Sequence, residues 1–229
     1  MPQPSQPRSC TTGNVSLDDK AQEIVVNVTR GFKGKPRDSR ATTERVPPGQ
    51  YVTQEFPVLT AGPTQQTPLE KWSLALQNGG QLLGRWNWAE FEALPQTERT
   101  FDIHCVTKWS KLDTRWRGVM FDDLLKAAGL TSAPLRYVMA HCDGGYTTNL
   151  PVADLIDGKA MVATHFDALP LPATHGGPAR LLVPHLYFWK SAKWVRGLVF
   201  METNAPGFWE SLGYHIYGDP WREQRYSGD

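Results

Sequence analysis

Cysteine is scarce. The 229 residues hold three, Cys10, Cys105 and Cys142, too few for a disulfide-stapled scaffold. There is no C-x-x-C pair, which removes the dithiol redox motif, and no C-x-x-C-H, which removes a c-type haem. No apolar run approaches the roughly 18 residues of a membrane span. The opening "MPQPSQPRSC" has no apolar signal core, and the chain has no Arg-Arg pair. The sequence therefore reads as cytoplasmic, or periplasmic if a leader has been removed. Charge of one sign is missing too. A net charge of +1 gives no global electrostatic reason for a nucleic-acid partner. What asymmetry exists lies in residues 1–46, where eight Lys/Arg against five Asp/Glu give +3 and leave −2 for the rest.

Aromatics, glycine and proline are plentiful instead. Nine Trp, nine Phe and seven Tyr supply a large core, while 20 Gly and 18 Pro predict short strands, many turns and much loop. The length suits one large domain. Residues 1–46 read as a polar tail, disordered or packed on the body, with one apolar patch in "EIVVNVTRGF". The Lys/Arg of "TRGFKGKPRDSR" read as solvated, with a phosphate contact as the alternative. The globular domain then covers 47–229.

Within that domain, "KWSLALQNGGQLLGRW" alternates apolar and polar residues around Asn78-Gly79-Gly80 and predicts a hairpin. "NWAEFEALP" sets Asn87 three residues before Glu90, the spacing of a helix capping box. "TFDIHCVT" alternates as a strand, with Phe101, Ile103 and Cys105 on one face and Asp102 and His104 on the other. "VTKWSKLDTRWRGV" reads as a loop rich in Trp, Lys and Arg. "GVMFDDLLKAAGL" reads as an amphipathic helix stopped by Gly129. "LRYVMAHC", "AMVATHFD", "ARLLVPHLYF" and "KWVRGLVFMET" read as strands. The first of these runs into an Asp143-Gly144-Gly145 turn. Strands and short helices mix without a βαβ rhythm, so the expected class is α+β, with mixed sheets and short helices.

Two of the three cysteines follow a histidine, as His104-Cys105 and His141-Cys142. Several readings compete. A four-ligand zinc site is weakened because adjacent strand residues point to opposite faces, and because paired zinc ligands usually stand roughly two to four residues apart. A Cys105–Cys142 disulfide is possible between strand ends. Two buried small hydrophobes is the blandest choice. His104 reads as core or as support for a neighbouring ligand, His141 and His165 as structural, and Asp122 and Asp123 as a solvated helix face. Trp109 and Trp116 read as core, or as walls of a substrate pocket. The surroundings add something else. Cys105 enters a segment rich in Lys and Arg, which favours thiolate. Far along the chain, "THGGPARLLVPHLYFWKSAKWV" gathers His175, Arg180, Lys190 and Lys193 around Gly176-Gly177, a composition that suits a phosphate. One thiolate plus a separate anion-binding loop fits a metal held by one protein sulfur and otherwise by a large anionic cofactor.

Four stretches, "HCVTKWSKLDTRWRGVMFDDLL", "DGGYTTNLP", "LPATHGGPARLLVPHLYFWKSAKWV" and "KWSLALQNGGQLLG", carry a family resemblance in order and spacing. The chain resembles the molybdopterin-binding domain of the sulfite oxidase superfamily over roughly residues 47–225. Within it the likeness is to the small single-domain bacterial branch that includes the catalytic subunit of a periplasmic methionine-sulfoxide reductase. The resemblance implies a molybdenum–molybdopterin enzyme that moves an oxygen atom between water and a small substrate, sulfur-containing in several relatives. It implies Cys105 as the one protein ligand to molybdenum and Tyr146 as the active-site tyrosine. His175 and Arg180 would anchor the pterin. Ser191, Ala192 and Lys193 would grip it through backbone groups and an ammonium, and Cys142 would wall it. "TQEFPVL" falls where relatives also touch the pterin. Sulfite oxidases hold their anion with several arginines, whereas here Lys108, Lys111, Arg115 and Arg117 follow Cys105 in a different register, which weakens sulfite as the substrate. With no haem segment in the sequence, electrons would come from a separate flavin, haem or quinone-linked partner. A non-catalytic pterin-binding or carrier module is the alternative.

Overall fold

The computed structural model describes residues 44–229. Cys10 and nearly all of the tail read over 1–46 lie outside them. Among the described residues no helix is long and apolar enough to cross a membrane.

Among the described residues eleven strands form two mixed sheets. They are β1 (Tyr51–Val52), β2 (Ser73–Asn78), β3 (Gln81–Asn87), β4 (Thr97–His104), β5 (Trp109–Met120), β6 (Tyr137–Cys142), β7 (Thr147–Pro151), β8 (Met161–Phe166), β9 (Leu169–Pro170), β10 (Arg180–Leu182) and β11 (Val195–Met201). One sheet runs β1-β5-β8-β10, with β4 added on β5 and β9 on β8; the other runs β3-β2-β11-β6-β7. Three short α-helices accompany them among the described residues: α1 (Trp88–Glu92), α2 (Phe121–Ala127) and α3 (Phe208–Ser211). The class is α+β.

The hairpin read around Gly79-Gly80 is β2–β3, paired from Ser73↔Asn87 to Asn78↔Gln81. The capping box forms as well. The Asn87 side chain accepts from the Glu90 N–H at 3.0 Å, and the Glu90 carboxylate accepts from the Asn87 N–H at 2.8 Å. Both orphan donors at the start of α1 are thereby satisfied.

Three assignments change. The segment "VTKWSKLDTRWRGV", read as a loop, contains most of β5, the longest strand. Its inward residues Thr114, Trp116 and Gly118 alternate with Asp113, Arg115 and Arg117, so the strand period was there, masked by five charged residues. The helix expected over "GVMFDDLLKAAGL" begins only at Phe121, because Gly118–Met120 still pair with β8. The strand expected over "ARLLVPHLYF" shrinks to Arg180–Leu182, after which Pro184 interrupts the run. Asp122 is more than a solvated face: it accepts the N–H groups of Asp157 and Gly158 at 3.1 and 2.8 Å and so ties α2 to the next turn.

The apolar residues separate into three clusters. The largest joins the second sheet to α1 and α2 through Trp72, Leu76, Phe91, Phe121 and Phe200. The second surrounds Ile103, Cys105, Trp109 and Trp116; the third is Tyr187, Trp189 and Tyr214. Trp109 and Trp116 are each 1% exposed, as core residues are. Val106 packs against both the second and the third cluster, so the two meet at the turn that carries Cys105.

Candidate active site

Cys105 stands directly after β4 on the tight turn into β5. Its N–H donates to the Trp109 carbonyl at 2.8 Å, its own carbonyl accepts from the Lys108 N–H at 2.9 Å, and Lys108 takes φ +73° to close the turn. The Gln50 amide donates to the same carbonyl at 3.1 Å. The backbone of Cys105 is therefore fixed from three directions, while its thiol, 6% exposed, accepts from the Thr107 hydroxyl at 3.2 Å. Burial pushes the thiol up; Thr107 and Lys193 act in the opposite sense.

His104 and Cys105 diverge as the strand period requires. The His104 ring makes a 2.9 Å hydrogen bond with the Ser110 hydroxyl and lies edge-on to Trp221, whereas Cys105 joins the cluster of Ile103 and Trp109. Both Cys105 and Cys142 are free thiols. Among the described residues no group of three or more His, Cys, Asp or Glu converges as metal ligands would.

The anion-binding loop is built by the approach of two backbones. Gly176 has φ +105°, and a Cβ there would stand 2.9 Å from Lys193 Cα. At Gly177 a Cβ would be driven into the Leu171 carbonyl. Only glycine lets 173–178 lie on the 191–194 segment, where the Trp194 N–H donates to the Gly176 carbonyl at 3.2 Å.

Arg180 projects from β10 into this junction and is 1% exposed. Nη1 donates to the His175 carbonyl at 2.8 Å and Nη2 to the Ser191 carbonyl at 2.5 Å, while Nε is buried without a partner. The guanidinium lies 4.1 Å over the Phe188 ring. Lys193 Nζ donates to the Leu59 and Thr174 carbonyls, each at 2.7 Å. Neither cation has a carboxylate partner among the described residues. Burial pulls Arg180 down to about 9, and burial together with Arg180 pulls Lys193 down to about 7. The His175 ring, stacked at 3.8 Å on Phe56, is lowered to about 4 by burial and by both cations. A buried arginine and a half-buried lysine left without a counter-charge are costly unless an anion completes them.

The other predicted residues gather nearby. Cys142 ends β6, its thiol pushed up to about 12 by burial and by Asp143 and drawn back by Arg180. Ser191 and Ala192 are buried, but their carbonyls are engaged inside the protein, by Arg180 and by the Leu181 N–H. The Tyr146 hydroxyl donates to the Trp189 carbonyl at 2.7 Å, and burial holds its phenol well above the ordinary range. Lys190 departs from the reading that placed it by the anion loop. It is fully buried on Glu210 at 2.5 Å, with the Asn149 and Ile216 carbonyls as further acceptors. The cations after Cys105 are largely engaged as well: Lys111 with the Gln54 carbonyl, Arg115 with Glu98 and Arg117 with Glu92.

Sequence reasoning did not single out Gln50, Phe56, Thr107, Glu210 or Tyr214. Phe56 and Leu59 lie in or beside "TQEFPVL", where only the general position was legible.

His104 gives a pH test. Burial lowers it to about 4, against about 6.5 for an unfolded histidine. Between those values the unfolded chain takes up a proton that the folded one refuses, so stability falls as pH drops through that window. Metal-free protein is expected to lose about 2 kcal/mol from this residue between pH 7 and pH 5. Urea titrations of wild type and His104→Gln measure it. The variant's loss should be smaller by about that amount; equal losses would contradict the assignment.

Comparison with known proteins gives the family and the fold. Residues 61–209 match the family described as oxidoreductase molybdopterin binding domain. The chain belongs to that family, and it is an oxidoreductase of the sulfite oxidase type. It is 44% identical over 202 residues to the uncharacterized oxidoreductase YuiH of Bacillus subtilis, covering 86% of this chain and all of the relative. It is 26% identical over 166 residues to the protein-methionine-sulfoxide reductase catalytic subunit MsrP of Xanthomonas campestris, covering 66% of this chain and 51% of that one. Among solved structures it is similar to the sulfane dehydrogenase SoxCD of Paracoccus pantotrophus, with a TM-score of 0.53 and 19% identity. That match covers 61% of this chain and 40% of the other, and it speaks for the fold alone.

Proposed function

We propose that the chain binds a molybdenum–molybdopterin cofactor at the junction of Cys105, Arg180 and Lys193 and transfers an oxygen atom on a small, neutral, sulfur-containing substrate. The observation that carries this is the buried Arg180. Its Nε has no partner, it has no carboxylate partner among the described residues, and it shares the site with Lys193, a half-buried cation that also lacks one. An anionic pterin supplies the missing charge. Arg180, Lys193 and His175 would hold it, with Phe56 and Cys142 as walls, and the Cys105 sulfur would ligate the metal. When bound, the cofactor supplies the two-electron oxygen chemistry. The protein fixes its position and excludes water.

A neutral substrate is favoured over sulfite because Lys111, Arg115 and Arg117 are engaged with partners of their own. In the reducing direction a sulfoxide S–O bond breaks, an electron pair arrives from a separate carrier, and the oxygen leaves with two protons as water. The carrier is a flavin, haem or quinone-linked protein.

The test is metal and pterin content after expression in a cofactor-competent host. Wild type should retain molybdenum through gel filtration. Arg180→Met should bind the pterin on the order of 30-fold more weakly or worse, the effect of truncating one partner of a buried charge pair. Wild type purified without molybdenum, or undiminished retention by the variant, would sink the reading.

A further inference from the structure

The junction that holds Arg180 and Lys193 is closed to a large ligand. Arg180, Ser191 and Ala192 are each no more than 2% exposed, so a pterin reaches them only if one wall of the site moves. Two of those walls are firm: strand β10, and the glycine backbone pressed onto Lys193. Residues 54–67 are different. They run between β1 and β2 without helix or strand, and none of them is buried. Among the described residues no backbone–backbone hydrogen bond ties them to the rest of the domain. Segments with so few fixed contacts open most readily.

Side chains hold this strap at four points. Lys111 Nζ donates to the Gln54 carbonyl at 2.7 Å, beside the place where the Thr53 N–H still pairs with the Ser110 carbonyl at 2.9 Å. Phe56 stacks on His175 at 3.8 Å. Lys193 Nζ donates to the Leu59 carbonyl at 2.7 Å. At the far end the Thr67 hydroxyl donates to Asp143 Oδ2 at 2.6 Å. Asp143 is a fixed post. Arg196 donates to both of its carboxylate oxygens at 3.1 Å, and its own N–H donates to the Trp194 carbonyl at 3.0 Å. Arg196 is in turn anchored on the Ser73 and Lys71 carbonyls. The two middle holds therefore fall on His175 and Lys193, the residues assigned to the pterin, while the two ends are held elsewhere.

We propose that residues 54–67 are a strap that opens to admit the pterin and closes to retain it, hinged beside β1 and latched by Thr67 on Asp143. The proposal rests on the cofactor reading above. Lys193 couples the strap to the ligand. An ammonium has three N–H donors. Two go to the Leu59 and Thr174 carbonyls, and the third is available to an anion of the cofactor. One lysine thus holds strap and ligand together, so a loaded site keeps the strap down. When the strap lifts, Phe56 leaves His175 and uncovers the ring. The Thr67 hydrogen bond involves none of the residues assigned to the pterin, so it tests the latch alone.

Loaded protein from a cofactor-competent host is compared as wild type, Thr67→Val and Thr67→Ser. Released pterin is collected by ultrafiltration at intervals and read by the fluorescence of its oxidised form. Thermolysin cleavage within 54–67, mapped by mass spectrometry, reports the open population, and melting curves report the fold. Thr67→Val should release pterin about tenfold faster, the low end for losing a hydrogen bond to a charged group, and its strap should be cut faster by a similar factor. Thr67→Ser, which keeps the hydroxyl, should match wild type in both. The strap of cofactor-free wild type should be cut faster than that of loaded protein; equal rates would overturn the coupling through Lys193. Equal release by Thr67→Val and wild type, or a Thr67→Ser as leaky as Thr67→Val, would overturn the proposal. Wild type that carries no pterin would instead sink the cofactor reading. Cleavage of the cofactor-free proteins would still decide the latch: faster cutting in Thr67→Val supports it, and equal rates overturn it.

Discussion

Replacing Cys105 by serine is expected to remove activity by at least about a thousandfold, roughly 4 kcal/mol at about 1.4 kcal/mol per decade. The residue stands at the centre of the account because two backbone hydrogen bonds and the Gln50 amide fix its backbone on the turn, and because Lys193, a cation with no carboxylate partner among the described residues, acts on its thiol. The fold should survive. Serine fits the same volume, and the Thr107 hydroxyl that now faces the sulfur can serve the new hydroxyl, so the cost in stability should stay near 1–2 kcal/mol. The variant's circular dichroism should match wild type while its visible charge-transfer absorption changes. Retained turnover in a cofactor-loaded variant would show that Cys105 is not the ligand.

Glu210→Gln is expected to be the most damaging change to the fold itself. Lys190 is wholly buried, and Glu210 is its only anionic partner among the described residues. Glu210 Oε1 also accepts from the Thr148 hydroxyl and from the Trp189 indole, each at 2.9 Å. Burial pulls the lysine ammonium down while Glu210 holds it up. Removing the charge leaves an uncompensated buried cation, typically about 3–5 kcal/mol. In a chain of this size that lowers the melting temperature by roughly 10 °C. The double variant Lys190→Met with Glu210→Leu should recover much of the loss, because it removes both charges at once. A single variant that melts with wild type would mean the pair contributes little. The functional consequence follows from Trp189. Its indole is held by Glu210 and its carbonyl by Tyr146, so the pair also steadies the cluster of Tyr187, Trp189 and Tyr214 that meets the Cys105 turn through Val106.

The parts of the molecule that were legible in the sequence are those set by local rules. The β2–β3 hairpin and the capping box of α1 depend on residues within a few positions of each other, and both form where the sequence places them. β5 was missed because its exposed face carries so many charges that it reads as a loop. Only its pairing with β4 and β8 makes the alternation count. Within the candidate site, Cys105, His175, Arg180 and Lys193 were reachable through a family resemblance, and Arg180 and Lys193 do meet at the glycine junction. Lys190 was misplaced because its neighbour in sequence, Ser191, faces Arg180 while Lys190 itself faces Glu210. Tyr214 and Glu210 could not be found from the sequence. Neither sits in a motif, and each acquires its setting only when the C-terminal segment folds back on the Cys105 turn and on β7.

X-ray absorption at the molybdenum edge of the loaded protein tests the central claim most directly. If Cys105 is the protein ligand, wild type shows one more sulfur neighbour than Cys105→Ser, which gains a lighter oxygen or nitrogen scatterer in its place. An identical sulfur count in the two proteins would contradict the account.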